Sequence, residues 1–87
     1  MIPTKALTTA WRVIEGEAVI LAVDTKVMHG LNAVGSRVWE LVDGRRGVDE
    51  IVDTIVTEFD VEPEHARADV DAFLRQLADK GLVTLVP

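Results

Sequence analysis

The sequence predicts an α+β domain in which a three-stranded antiparallel sheet is followed by a three-helix bundle. Three observations predict it. Short apolar runs broken by turn residues fill the first third, the hydrophobic period changes from about 2 to about 3.6 at Asn32, and three amphipathic stripes then follow in succession.

Each element has its own justification. Residues 1–9 hold Pro3 and three threonines with little periodicity, and are expected to form a loosely held, flexible lead-in. Trp11 to Ile14, Ala18 to Val23 and Val27 to Leu31 are apolar runs separated by Glu15-Gly16-Glu17 and Asp24-Thr25-Lys26, the pattern of three antiparallel strands. In the middle run Ala18, Ile20 and Ala22 alternate with Val19, Leu21 and Val23. Both faces are apolar, which predicts a strand covered on both sides.

Asn32 is a suitable N-cap, and Val34, Val38, Leu41 and Val42 lay one stripe along a first helix ending near Asp43-Gly44. Val48, Ile51, Val52, Ile55 and Phe59 repeat that spacing in a second helix, with Asp49 and Glu50 in the first turn, where the helix dipole favours acids. Pro63 suits the first turn of a third helix with the stripe Ala66, Val70, Phe73, Leu74 and Leu77, and Gly81 is placed to end it. Leu82 to Val86 reads as a short terminal strand or extended tail. Residues 10–87 thus form a single domain, since 87 residues at 48% hydrophobic content support one small core. The order of elements resembles a winged helix-turn-helix.

Composition removes several functions. The chain has 9 basic and 15 acidic residues, net −6, and between residues 62 and 80 Glu62, Glu64, Asp69, Asp71 and Asp79 outnumber Arg67, Arg75 and Lys80. A helix bearing that charge repels phosphates, so no nucleic-acid partner is expected. There is no cysteine, hence no disulfide and no thiolate chemistry. No apolar window is long enough to span a bilayer and no secretory signal is seen, so the expectation is a soluble, cytoplasmic protein without a membrane partner.

Catalytic chemistry finds no foothold. His29 and His65 lack cysteine partners or a second histidine at helical spacing, so no metal and no cofactor is expected. The carboxylates lie mostly on polar helix faces, and Ser36, the only serine, lacks the strand-turn-helix setting of a nucleophile. Trp39 reads as a core anchor. Arg45-Arg46 reads as a solvated turn, with docking to an acidic partner as its functional alternative.

What remains is the sheet. Three strands leave at least one edge with unpaired N–H and C=O groups, where an extended peptide can add as a further strand. Either edge fits. The competing reading is an edge already covered by the N-terminal segment, and free backbone groups along Val27 to Leu31 decide between the two.

Leu31-Asn32, the run Val38-Trp39-Glu40-Leu41-Val42-Asp43-Gly44, then Asp69-Val70-Asp71-Ala72-Phe73-Leu74 with Leu77 and Gly81-Leu82, together resemble the PqqD family. These are the peptide chaperones of pyrroloquinoline quinone biosynthesis and their relatives, the RiPP recognition elements of ribosomally made, enzymatically modified peptides. The resemblance covers roughly residues 10 to 86. It implies a non-catalytic domain that binds the leader segment of a precursor peptide by strand addition and presents it to a modifying enzyme, often a radical SAM protein. The strand side of that site would be Lys26, Val27, Met28, His29, Gly30 and Leu31. The helix side would be Arg67, Val70, Asp71, Leu74 and Arg75, with Phe73 and Leu77 in the core beneath. Departures are the absence of aromatic residues in the third strand and Gly47 in place of a Ser or Thr cap. A winged-helix nucleic-acid binder and a structural protein-interaction subunit are the alternative functions, and the chain is expected to be a monomer or a homodimer.

Overall fold

A computed structural model describes residues 1–87. The order is β1 (Ile2–Lys5), β2 (Thr9–Ile14), β3 (Glu17–Ala22), β4 (Val27–Gly30), α1 (Ala33–Leu41), α2 (Val48–Phe59), α3 (Pro63–Asp79) and β5 (Val83–Val86). Strands β2, β3 and β4 form the expected antiparallel sheet in that spatial order, so β2 and β4 are its edges. The β2–β3 turn is Glu15-Gly16 with φ of 52° and 82°, the left-handed pair that a two-residue hairpin of matching twist requires.

Helices begin and end as the local chemistry dictates. The Asn32 side chain accepts from the Gly35 N–H at 2.8 Å, capping α1. Pro63 occupies the first turn of α3, and Gly81, with φ of 73°, follows its end. The core draws Ile20 from the sheet, Val38 and Trp39 from α1, Ile51 and Ile55 from α2, and Val70, Leu74 and Leu77 from α3.

Two expectations are overturned. The N-terminal segment is not a loose lead-in: Ile2–Lys5 pairs antiparallel with β5, Ile2 opposite Val86 and Lys5 opposite Val83, in a separate two-stranded sheet. Its backbone also reaches the helices. The Met1 carbonyl accepts from Val48 N–H at 3.0 Å, supplying an acceptor at a helix start where Gly47 has no side chain to offer, and the Pro3 carbonyl accepts from Gly44 N–H at 3.1 Å. A four-residue strand whose partner lies at the far end of the chain leaves no local period to read. The second correction concerns β3. Ala18, Ile20 and Ala22 are buried, but Val19 and Leu21 are only half-buried, so the sheet is fully covered on one face alone.

Candidate peptide-binding site

The site begins with the backbone of β4. The Leu31 N–H donates to the Ala18 carbonyl at 2.9 Å, and β4 pairs with β3 in the register Gly30 to Val19 and His29 to Ile20. Facing residues in an antiparallel pair alternate between bonding inward and pointing outward, so His29 and Val27 bond toward β3 while the N–H and C=O of Met28 and Gly30 point out of the sheet. No strand lies beyond them. The N-terminal segment, the natural candidate to cover this edge, is committed to β5.

Ser36 fixes the corner where β4 hands over to α1. Its buried hydroxyl accepts from the Ala18 N–H at 2.6 Å and donates to the Leu31 carbonyl at 3.3 Å, tying β3, the end of β4 and the first turn of α1 to one oxygen. The end of β4 is thereby held at a defined position against α1. Side chains across a strand pair share a face, so His29, opposite fully buried Ile20, projects toward the helical layer.

Between β4 and α3 runs a groove of about 470 Å³. Met28, His29, Gly30 and Leu31 form its strand wall, and Phe73, Gln76, Leu77 and Lys80 its helix wall. A second depression of about 430 Å³ between α1 and α3 shares Asn32, Phe73 and Gln76 with the first. Phe73, half-buried, stands at the junction and packs close to Gly35, where an added Cβ would lie 3.2 Å from its ring.

Of the residues expected on the strand side, Met28, His29, Gly30 and Leu31 line this groove, whereas Lys26, which sits before β4 with φ of 60°, and Val27 do not. None of those expected on the helix side lines it. Val70 and Leu74 are 2% and 0% exposed and belong to the core. Arg67 pairs with Asp49 of α2 at 2.7 Å, and Arg75 pairs with Asp71 at 2.9 Å. At 100° per residue, positions 67, 71 and 75 fall on the side of α3 roughly opposite 73, 76 and 80. Phe73 and Leu77, expected in the core beneath the groove, both line its helix wall, Phe73 half-buried and Leu77 buried.

Other singled-out residues have structural partners. Trp39 is fully buried, meets Trp11 edge to face at 6.2 Å, and has no hydrogen-bond partner for its Nε1. The Lys5 ammonium lies 4.8 Å and 5.0 Å from the two indole rings and donates to the Val42 carbonyl at 2.8 Å. Burial pulls the Lys5 pKa below its ordinary value, against the opposing pull of Asp43 and Glu40. His65 sits 3.1 Å from Asp69 on an exposed helix face.

The family model for coenzyme PQQ synthesis protein D (PqqD) matches residues 17–83, more than half of the chain, from β3 and β4 through all three helices. The chain belongs to the PqqD family. Among solved structures, this PqqD-family chain is similar to TbiB1 in complex with the TbiA(beta) leader peptide, at 34% identity, a TM-score of 0.88, and coverage of 97% of this chain and 98% of that one. The PqqD truncation of Methylobacterium extorquens PqqCD, described as a functional, stand-alone RiPP recognition element, matches at 27% identity with a TM-score of 0.79, covering 97% of this chain and 89% of that one. A lasso peptide synthetase B1 complexed with its leader peptide shares the fold, with a TM-score of 0.86 at 14% identity, covering 98% and 100% of the two chains. A PqqA binding protein of Rhodopseudomonas palustris (strain HaA2) is 37% identical over 51 residues, 59% of this chain and 50% of that protein, so the match spans about half the length of the curated relative.

Proposed function

We propose that this PqqD-family protein is a non-catalytic recognition domain that binds the leader segment of a ribosomally made precursor peptide and presents it to a separate modifying enzyme. The leader adds to the outer edge of β4 as a fourth strand. The observation that carries this reading is the open edge itself: the outward groups of Met28 and Gly30 border a groove whose far wall is α3. Main-chain hydrogen bonds would supply affinity, and alternate peptide side chains would enter the groove toward Phe73 and Leu77. The strand wall Met28, His29, Gly30 and Leu31 and the helix wall Phe73, Gln76, Leu77 and Lys80 are the proposed contacts.

The likeness to TbiB1, whose structure contains a leader peptide, supports the reading. So does the charge of α3, whose Arg67 and Arg75 are already paired with carboxylates rather than free for phosphate. A radical SAM enzyme is one partner that the family implies; the reading requires only an enzyme that acts on a leader-bearing peptide. Such a precursor is made on the ribosome, which places the encounter in the cytoplasm. The groove lies within one chain, so no second copy is needed.

Ordering a flexible peptide costs free energy, and the expected affinity is on the order of micromolar to sub-micromolar. The test is calorimetric titration with precursor peptides encoded beside the gene, split into leader and core segments. Binding confined to the leader is expected. Saturable binding of the core segment alone, or of duplex DNA in its place, would overturn the proposal.

A further inference from the structure

The groove departs from the charge of the molecule. Among 15 acidic residues in the chain none lines it, and its ionisable side chains are His29 and Lys80. Lys80, at the C-cap of α3, differs from the cationic residues within that helix. His65 has Asp69 within 3.1 Å, Arg67 has Asp49 at 2.7 Å and Arg75 has Asp71 at 2.9 Å, whereas Lys80 enters none of the ion pairs. The helical positions that meet Lys80 are those three and four residues earlier, Leu77 and Gln76, and neither is an acid. Asp79, its neighbour in sequence, starts about 100° away around the helix axis, and the two form no ion pair. A cation at the end of α3 is favoured by the helix dipole, which accounts for a Lys there but not for the want of a carboxylate around it.

We infer that Lys80 is a specificity residue of the groove, taking the carboxylate of an Asp or Glu in the bound peptide. The inference rests on the reading that an extended peptide occupies the β4 edge. Gln76, one turn earlier on the same wall, offers amide N–H groups to the same carboxylate. Successive side chains of a strand point to opposite faces, so the acid shares its face with residues two positions away, which meet Phe73 and Leu77. The preferred ligand is therefore an extended peptide with an acid two residues from an apolar side chain, both facing α3.

The test is selection of a displayed library of random short peptides on the folded wild-type chain and on Lys80→Glu, with Lys80→Gln as the charge-removing variant and Gly30→Pro as the control for strand addition. Wild type is expected to enrich an acid at one position spaced by two from an apolar residue. Lys80→Glu should shift that position to Lys or Arg, and peptides selected on wild type should bind Lys80→Gln roughly tenfold more weakly. Enriched peptides that depend on Gly30 but carry no positioned acid, or carry the same acid on wild type and Lys80→Glu, overturn the inference and leave strand addition standing. Enriched peptides indifferent to Gly30→Pro, or no enrichment at all, overturn strand addition and this inference with it.

Discussion

Ser36 illustrates how one side chain can hold a site that it does not line. Its hydroxyl serves the Ala18 N–H and the Leu31 carbonyl from within the core, so Ser36→Ala would leave buried polar groups short of a partner. The expected cost is about 1–3 kcal/mol in denaturant unfolding, together with weaker peptide binding as the end of β4 loosens. Gly35 acts through space. An alanine there would gain up to about 1 kcal/mol of helix propensity, but its Cβ would sit 3.1 Å from the Asn32 Oδ1 and 3.2 Å from the Phe73 ring. Gly35→Ala should therefore leave stability within about 1 kcal/mol of wild type while displacing Phe73, with affinity falling more than Tm. Phe73 also shows what a stripe conceals. Its spacing fits the buried set Ala66, Val70, Leu74 and Leu77, and nothing in that spacing says that it stands at the margin of the stripe, half-exposed to a groove.

At the scale of elements the same limit reappears. The stripe of α3 was legible because burial imposes a period of 3.6 on the apolar residues. Which flank of that stripe faces β4 depends on the packing of α3 relative to the sheet, and this is why the side bearing Arg67, Asp71 and Arg75 is as reasonable on paper as the side bearing Phe73, Gln76 and Lys80. The edge of β4 was half legible: three strands guarantee an edge, but its freedom depends on β1 finding β5 instead. Gly30 separates backbone from side-chain effects here. A Cβ at Gly30 meets nothing within 4 Å, so Gly30→Ala should bind as wild type, whereas Gly30→Pro removes an outward N–H and should weaken peptide binding about tenfold. Equal loss in both would point to sterics rather than hydrogen bonding. Between α1 and α2 the turn is held by Asp43, whose Oδ1 accepts from the Arg45 and Arg46 N–H groups at 2.9 Å and 2.8 Å. The Arg46 and then the Arg45 backbone bonds hold its carboxyl below the ordinary 3.8. The stabilisation is thus complete above pH 3.8 and is lost as pH falls through the lower folded value. Acid unfolding of Asp43→Asn should lack that segment of the pH dependence.

On the scale of the whole molecule, the chain is closed by its ends. β1 and β5 join residues at opposite ends of the sequence, from Ile2 with Val86 to Lys5 with Val83, and Lys5 adds a clamp between Trp11, Trp39 and the Val42 carbonyl at the end of α1. Lys5→Met keeps the aliphatic stem and removes the charge and the hydrogen bond, with an expected loss of about 1–2 kcal/mol by thermal unfolding. An unchanged Tm would deny the clamp any part in stability. Long-range pairing of this kind has no signature in local periodicity, so the α+β order and the three-stranded sheet could be read from the chain while the second sheet could not. With β1 paired to β5, the N-terminal segment does not cover β4.

Peptide capture depends on that uncovered edge. Hydrogen exchange of the Met28 and Gly30 amides, followed by NMR with and without a saturating leader peptide, tests it most directly. Fast exchange in the free protein and strong protection of both amides in the complex are expected. Saturation of binding with the two amides still exchanging freely, or with protection on β2 instead, would contradict it.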